Sequence, residues 1–80
     1  MKKTLIEKEI TAVVSNYTQV VEHDFEKSLS LFPYCMDARE LTMIFLEVEN
    51  KFGVDINKLF DEISNFSIRT IVDAVELQIK

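Results

Sequence analysis

Residues that break regular structure are scarce in this 80-residue sequence, which contains one glycine, Gly53, and one proline, Pro33. An all-β fold needs many tight turns rich in glycine and proline, so their scarcity predicts long uninterrupted segments instead. The single cysteine, Cys35, excludes an internal disulfide framework and a cysteine-rich zinc site. Hydrophobic residues form 48% of the chain, which predicts one globular domain over residues 1–80 rather than a disordered segment.

Basic residues are also in deficit, because nine Lys and Arg face fourteen Asp and Glu, for a formal net charge of −5. Binding to nucleic acid or to an anionic membrane surface requires a basic face, so neither partner is expected. An acidic domain suits protein partners that present Lys or Arg. No apolar run approaches the roughly 18 residues of a membrane span, and the charged segment 7–9 excludes a signal-type apolar core. We expect a monomeric cytoplasmic protein.

Apolar residues at helical spacing predict a first helix from about Leu5 to Val21. Thr4 and Glu7 have the spacing of a capping box, which indicates the start of this helix. The core stripe consists of Ile6, Ile10, Val13, Tyr17 and Val20. From about Glu22 to Met36 no period holds, so we expect a long ordered loop whose apolar residues fold down onto the core. These residues are Leu29, Leu31, Phe32 and Tyr34.

The second helix has the clearest start and stop signals. Asp37 and Glu40 have capping-box spacing, and Gly53 stands where a left-handed C-terminal cap is needed, with Val54 behind it. Together they predict a helix from Ala38 to Phe52. Its core stripe consists of Leu41, Ile44, Phe45, Val48 and Phe52.

Two further helices complete the predicted fold. Asn57 can cap a short helix from Lys58 to about Ile63, and Ser67 can cap a last one. The apolar stripe of this last helix consists of Ile68, Ile71, Val72, Val75 and Ile79. The fold class is therefore all-α, a bundle of three longer helices and one short helix, with a long loop between the first two.

This order of helices, in an acidic chain of about this size, resembles the acyl carrier proteins and the peptidyl carrier domains of nonribosomal synthesis. The residues that carry the resemblance are Met36-Asp37-Ala38-Arg39-Glu40-Leu41, the stretch from Leu46 to Ile56, and the stretch from Phe66 to Val75. Carriers have G-x-D-S-L at the start of the second helix and a phenylalanine about fourteen residues after the serine. Here Phe52 lies fourteen residues after Ala38, and Ile56 follows four residues later. Residues 37–75 share sequence motifs with the family, whereas the first helix shares only the pattern of apolar residues. The resemblance implies the four-helix bundle of the carrier family.

The resemblance implies a function as a carrier and not as an enzyme. In this family a transferase moves 4′-phosphopantetheine from coenzyme A to the serine hydroxyl, and the arm then presents thioester-bound intermediates to biosynthetic enzymes. In this sequence Asp37 matches the family's aspartate, but Ala38 stands at the serine position and has no hydroxyl. The family's glycine before the aspartate is also missing, and Arg39 stands in place of the family's apolar residue. The hydroxyls of Ser28, Ser30 and Thr42 stand at the wrong positions to replace the serine.

Three interpretations stay open. In the first, the alanine replaces a native serine, and the chain is a carrier whose cofactor is 4′-phosphopantetheine. In the second, the chain is a natural carrier relative that has lost the arm and kept the docking surface, as in carrier-related proteins encoded with peptide-modification systems. In the third, the bundle is unrelated to carriers, the second helix is wholly internal, and the last helix packs away from the first two.

The resemblance further implies that partner enzymes dock along the second helix. The implied partner surface consists of Arg39, Glu40, Thr42, Met43, Leu46, Glu47, Glu49, Asn50 and Ile56. An acidic docking face would consist of Glu40, Glu47, Glu49, Asp61 and Glu62, although charge on outward helix positions is also ordinary solvated surface. Cys35 is interpreted as a small, partly buried apolar residue rather than a thioester site. His23 alone has no ligand spacing, and no catalytic set of side chains is recognisable.

Overall fold

The computed structural model describes residues 2–20, 22–32, 34–63 and 65–79, apart from the side chain of Glu62. The described residues form four helices, which are α1 (Lys3–Ser15), α2 (Ala38–Phe52), α3 (Ile56–Glu62) and α4 (Ile68–Ile79). The predicted all-α class is confirmed, as a small bundle with one short helix and a long loop between α1 and α2. An isolated antiparallel bridge between Ser28 and Ser67 ties that loop to the start of α4.

The bounds of α2 are those that its capping residues predict. The Glu40 N–H donates to Asp37 Oδ1 at 2.9 Å, and the Asp37 N–H donates to Glu40 Oε1 at 3.2 Å. At the other end Gly53 has a φ of 69° and donates its N–H to the carbonyl of Glu49 at 2.8 Å. Glycine adopts this left-handed conformation without a side-chain penalty. Both ends of α2 are therefore set by local sequence.

The start of α1 differs from the sequence-based prediction. The helix begins at Lys3, and Lys2 is its N-cap without a side-chain hydrogen bond. The predicted capping box of Thr4 and Glu7 is wrong, because Thr4 already lies inside the first helical turn.

The end of α1 also differs, because the helix stops at Ser15 rather than near residue 21. The Asn16 N–H bonds to the carbonyls of the preceding turn, and Ser15 Oγ donates to the Thr11 carbonyl at 2.9 Å. Beyond it the Val20 N–H donates to Thr18 Oγ1 at 3.2 Å. The apolar spacing continues after the helix has ended and therefore does not mark its end. Val21 lies outside the described residues.

The two C-terminal helices differ in how well their starts were predicted. Helix α3 begins at Ile56, two residues early, because Asp55 rather than Asn57 is its cap and accepts the Asn57 N–H at 2.9 Å. Helix α4 begins at Ile68 as predicted, and Ser67 Oγ accepts the Thr70 N–H at 3.2 Å. The predicted Ser67 cap is therefore confirmed.

The core lies where α1 packs against α4 and α2, with α3 closing it against α2 and α4. Its largest fully buried side chains come from all four helices and the loop: Phe45, Ile6, Ile10, Leu29, Ile44, Leu59, Ile68 and Ile71. Because α4 packs along α1, the arrangement expected for an unrelated bundle, with the last helix away from the first two, is not the one observed.

The long loop packs onto the core at only some of its apolar residues. Leu29 is fully buried and Tyr34 nearly so, as predicted. The prediction is wrong for Leu31 and Phe32, which are 57% and 78% exposed. The Leu31 N–H bonds to the Ser28 carbonyl and the Tyr34 N–H to the Leu31 carbonyl. These two successive turns reverse the chain and leave Leu31 and Phe32 on its outer side.

Candidate functional site

Position 38 lies on the surface, at the first residue of α2. Ala38 and its capping neighbour Asp37 are both exposed. The nearby hydroxyls make hydrogen bonds of their own: Thr42 Oγ1 donates to the Ala38 carbonyl at 2.7 Å, and Ser28 Oγ lies 3.0 Å from Ser30 Oγ. The methyl group of Ala38 itself offers no oxygen for a phosphodiester.

Beside Ala38 the surface opens into a cavity of about 290 Å³, which we term the apolar cavity. It lies between the loop, α2 and α3, and is lined by Ser30, Met36, Ala38, Leu41, Thr42, Phe45, Phe60 and Phe66. The Phe45 ring lies 4.8 Å from the ring of Phe60 and 6.0 Å from that of Phe66, centroid to centroid, in tilted arrangements. Such aromatic contacts hold the three rings in defined positions.

A second groove runs past the start of α2 on a different face of the helix. It consists of two adjoining depressions of about 540 and 410 Å³ that share Tyr17 and Glu40. The first is lined further by Asn16, Thr18, Gln19 and Tyr34, and the second by Asp37, Arg39 and Met43. Ala38 therefore lies between the apolar cavity and this groove.

Only some residues of the predicted partner surface lie together on one exposed face. Its exposed members lie along the outer side of α2: Arg39, Thr42, Met43, Leu46 and Asn50. Its acidic members Glu40, Glu47 and Glu49 are half-buried. Ile56 begins α3 and packs partly against the core, away from the outer face of α2. The second helix is thus not wholly internal, contrary to the third interpretation.

Two of the acidic side chains in this surface have partners within the chain. Glu40 belongs to the capping box, and Glu47 accepts a hydrogen bond from the hydroxyl of Tyr17. Asp61 is exposed on α3, and the side chain of Glu62 lies outside the described residues. Glu40 at the start of α2 and Glu47 in its second half therefore also hold the local structure.

The bond between Tyr17 and Glu47 is expected to show in a tyrosine titration. The hydrogen bond to Glu47 raises the pKa of Tyr17, and burial and the carboxylate charge add to the effect. The neutral phenol is the favoured form, so the bond contributes stability below the usual tyrosine pKa of about 10 and is lost as the pH rises through the higher folded pKa.

The measurement is a pH titration by NMR with ¹³C-labelled tyrosine, since the chain has only two tyrosines. We expect Tyr17 to titrate at a lower pH in the Glu47→Gln variant than in the parent chain. The Glu49→Gln variant is the matched control and should leave the titration of Tyr17 in place. Equal midpoints in the parent chain and in Glu47→Gln would contradict the assignment.

His23 and Cys35 take no part in the surface around Ala38. His23 Nε2 lies 3.0 Å from Ser15 Oγ, and His23 Nδ1 lies 3.0 Å from Tyr34 Oη, so the imidazole ties the loop to the end of α1. The prediction that Cys35 is partly buried is wrong, because Cys35 is exposed, with a φ of 48°. Within the described part of the chain, no three His, Cys, Asp or Glu side chains come together as a metal site requires.

The sequence reasoning identified position 38 and the outer side of α2 but missed the apolar cavity. Leu41 and Phe45 were predicted as core, and they are core residues that also face the cavity. Phe60 could not be predicted from apolar spacing, because α3 is too short to show a reliable apolar period.

None of the described helices has the length and the apolar character that crossing a membrane requires. Comparisons of the chain with models of protein families, with curated proteins and with solved structures found no match. The resemblance to carriers therefore depends on the sequence motifs alone.

Proposed function

We propose that this chain is an acyl or peptidyl carrier-type protein that docks on the enzymes of a biosynthetic or peptide-maturation pathway. With serine at position 38 it would present thioester-bound intermediates on a 4′-phosphopantetheine arm, and with Ala38 it docks without an arm. The observation that carries the proposal is the position of Ala38, exposed at the capped start of α2 and at the mouth of the apolar cavity.

The start of α2 suits a phosphodiester on physical grounds. The first N–H groups of a helix lack intrahelical partners and carry partial positive charge, which favours an anion at that end. α2 has 15 residues and its first turn is held by the capping box. A serine at position 38 would place its hydroxyl in this turn, within reach of a transferase because the position is exposed.

The apolar cavity supports a role in holding the group that an arm would carry. Its volume of about 290 Å³ lies at the lower end of the roughly 300–1,000 Å³ typical of small-molecule sites. Aromatic and aliphatic side chains make up most of its lining, with hydroxyls only from Ser30 and Thr42. This lining suits a short acyl chain or the apolar side chain of an aminoacyl group.

The outer side of α2 supports docking on a basic partner. Met43 and Leu46 are exposed there, and the acidic side chains of Glu47 and Glu49 remain half-exposed beside them. Apolar contacts rimmed by carboxylates match a partner that presents an apolar patch and Lys or Arg. The phosphopantetheinyl transferase would use the same surface.

The proposal is tested by restoring the hydroxyl in the Ala38→Ser variant. The variant is incubated with coenzyme A and a broad-specificity phosphopantetheinyl transferase, and its intact mass is measured. We expect a mass gain of one phosphopantetheinyl group, mapped by fragmentation to position 38. The parent chain, which keeps Ser28, Ser30 and Thr42, is the control and should gain nothing. Absence of a gain with several transferases, from a variant that folds, would contradict carrier function.

A second candidate is a carrier-derived interaction module that never holds an arm. The observation that favours it is Ala38 itself, together with the engagement of Thr42, Ser28 and Ser30 in hydrogen bonds of their own. The native codon at position 38 separates the candidates. A serine codon leaves the module little support, and an alanine codon makes it the leading function.

A further inference from the structure

The imidazole of His23 joins the loop to the end of α1 through both of its nitrogen atoms. His23 Nε2 lies 3.0 Å from Ser15 Oγ, and His23 Nδ1 lies 3.0 Å from Tyr34 Oη. Ser15 is the last residue of α1, and Tyr34 belongs to the second half of the loop. A half-buried titratable group therefore connects two parts of the chain.

The other hydrogen bonds of Ser15 and Tyr34 determine which nitrogen of His23 carries the proton. Ser15 Oγ donates its hydrogen to the Thr11 carbonyl at 2.9 Å, so toward His23 it is an acceptor. Tyr34 Oη accepts the Asp24 N–H at 3.1 Å and keeps its own hydrogen to donate. Since a neutral imidazole has one donor and one acceptor nitrogen, the network assigns the proton to Nε2 and leaves Nδ1 to accept from Tyr34.

The Tyr34 hydroxyl is a reliable donor in this network. Tyr34 is 7% exposed, and burial is the main reason that its pKa is raised above the usual tyrosine value of about 10. The phenol therefore keeps its hydrogen at neutral and acidic pH. Within the described residues, Tyr34 Oη is hydrogen-bonded to His23 and to the Asp24 backbone and to no other group.

Protonation of His23 removes the acceptor that this network needs. The imidazolium carries a hydrogen on both nitrogens, so the Nδ1–H of His23 and the O–H of Tyr34 would point at each other. The phenol hydrogen must then turn away, and a nearly buried hydroxyl hydrogen without an acceptor is destabilising. The neutral form of His23 is thus the one that holds Tyr34 and the Asp24 backbone to the end of α1.

Two carboxylates of the loop flank His23 in sequence. Glu22 and Asp24 are both exposed, so water and salt screen their charges. Asp24 Oδ1 accepts the Glu26 N–H at 3.0 Å. Carboxyl groups of Asp and Glu ordinarily titrate near pH 4, whereas histidine changes its charge between about pH 5 and 8. The imidazole is therefore the group expected to respond in that range.

The charged groups of the neighbouring helices have partners of their own. Helix α1 meets the imidazole through the uncharged Ser15. Helix α4 meets the loop through Arg69, whose guanidinium pairs with Glu26 at 3.1 Å and with Glu7 at 3.2 Å. Glu40 of α2 lines the adjacent groove and is bonded within its capping box. The hydrogen bonds at the imidazole therefore decide which of its forms fits the fold.

We propose that His23 is a pH-sensitive switch, which ties the loop to the end of α1 while it is neutral and releases the loop when it gains a proton. Tyr34 also lines the second groove, beside the start of α2, so release changes the shape of that groove. The switch stands independently of any carrier function.

Nitrogen-15 NMR of the imidazole tests the network in the parent chain, because His23 is the single histidine. At about pH 8, above the usual titration range of histidine, we expect the two ¹⁵N shifts of the tautomer with the proton on Nε2. A tautomer with the proton on Nδ1 would overturn the proposal. This measurement needs no variant and so does not depend on the folding of one.

Hydrogen exchange at the Asp24 amide measures the release itself, after correction for the intrinsic pH dependence of exchange. Between about pH 8 and pH 5.5 we expect its protection to fall by about fivefold or more, the factor that corresponds to a hydrogen bond lost at a buried site. The Ile10 amide, inside α1, should keep its protection over the same range and is the internal control.

His23→Gln is the matched variant, because glutamine does not titrate, and its Asp24 amide should be equally protected at both pH values. Glu22→Gln removes an exposed neighbouring carboxylate, keeps the imidazole and should behave as the parent chain does. Constant protection of the Asp24 amide in the parent chain overturns the proposal. So does an equal fall in His23→Gln, or the absence of a fall in Glu22→Gln, since either assigns the response to a group other than His23.

Discussion

Replacement of Phe45 by alanine is expected to lower the free energy of unfolding by about 3–5 kcal/mol, the usual cost of truncating a buried phenylalanine. Phe45 is 1% exposed and its ring contacts those of Phe60 and Phe66. A domain of this size has a total stability of only about 4–12 kcal/mol. The variant should therefore unfold at a much lower urea concentration or fail to fold under ordinary conditions.

The measurement is urea denaturation followed by circular dichroism, at low micromolar protein. The matched control is Phe32→Ala, which makes the same truncation at a residue that is 78% exposed and should change stability by less than about 0.5 kcal/mol. If Phe45→Ala does not fold, Phe45→Leu gives the graded comparison, with an expected loss below about 1.5 kcal/mol. Equal unfolding midpoints for Phe45→Ala and Phe32→Ala would show that this aromatic cluster does not hold the fold.

Replacement of Leu29 by alanine is expected to cost about 2–5 kcal/mol, the range for a buried leucine. Among the described residues of the loop between α1 and α2, Leu29 is the one that is fully buried. Its N–H bonds to the Phe66 carbonyl at 3.0 Å, and its carbonyl accepts the Met36 N–H at 2.8 Å. Loss of the side chain should loosen the loop that forms one wall of the apolar cavity.

The check is again urea denaturation, combined with amide hydrogen exchange in the loop. The control, Leu31→Ala, removes the same atoms two residues later from a side chain that is 57% exposed. It should be nearly neutral for stability. We expect faster exchange at the Met36 amide in Leu29→Ala than in Leu31→Ala. Similar exchange and stability in the two variants would mean that Leu29 does not anchor the loop.

Where signals are local, the sequence predicted the structure well. The capping box of Asp37 and Glu40 and the left-handed Gly53 set both ends of α2, and Ser67 sets the start of α4. Each involves backbone and side-chain groups within four residues of one another. The position of Ala38 on the surface could be predicted for the same reason.

Where several local signals compete, the prediction failed. The spacing of Tyr17 and Val20 continues the apolar period of α1, yet the helix ends at Ser15. Asp55 and Asn57 both suit an N-cap, and only the structure shows that Asp55 takes the role. Apolar periodicity is insensitive to such differences of a few residues.

The exposure of the loop residues depended on the tertiary structure. Leu29 and Leu31 are the same residue type two positions apart, and one is buried while the other is exposed. Which of them meets the core depends on the turns that reverse the loop and on its bridge to the start of α4. Those contacts join residues far apart in sequence, and the local periodicity of apolar residues does not predict such contacts.

The sequence by itself determined that Ala38 begins the second helix and that this position holds no hydroxyl, because caps and side-chain chemistry are local. Only the tertiary structure decided what surrounds Ala38. The apolar cavity needs Met36 from the loop, Phe45 from α2 and Phe60 from α3 in one place, and that juxtaposition follows from packing between elements. The same packing leaves Phe32 of the loop exposed.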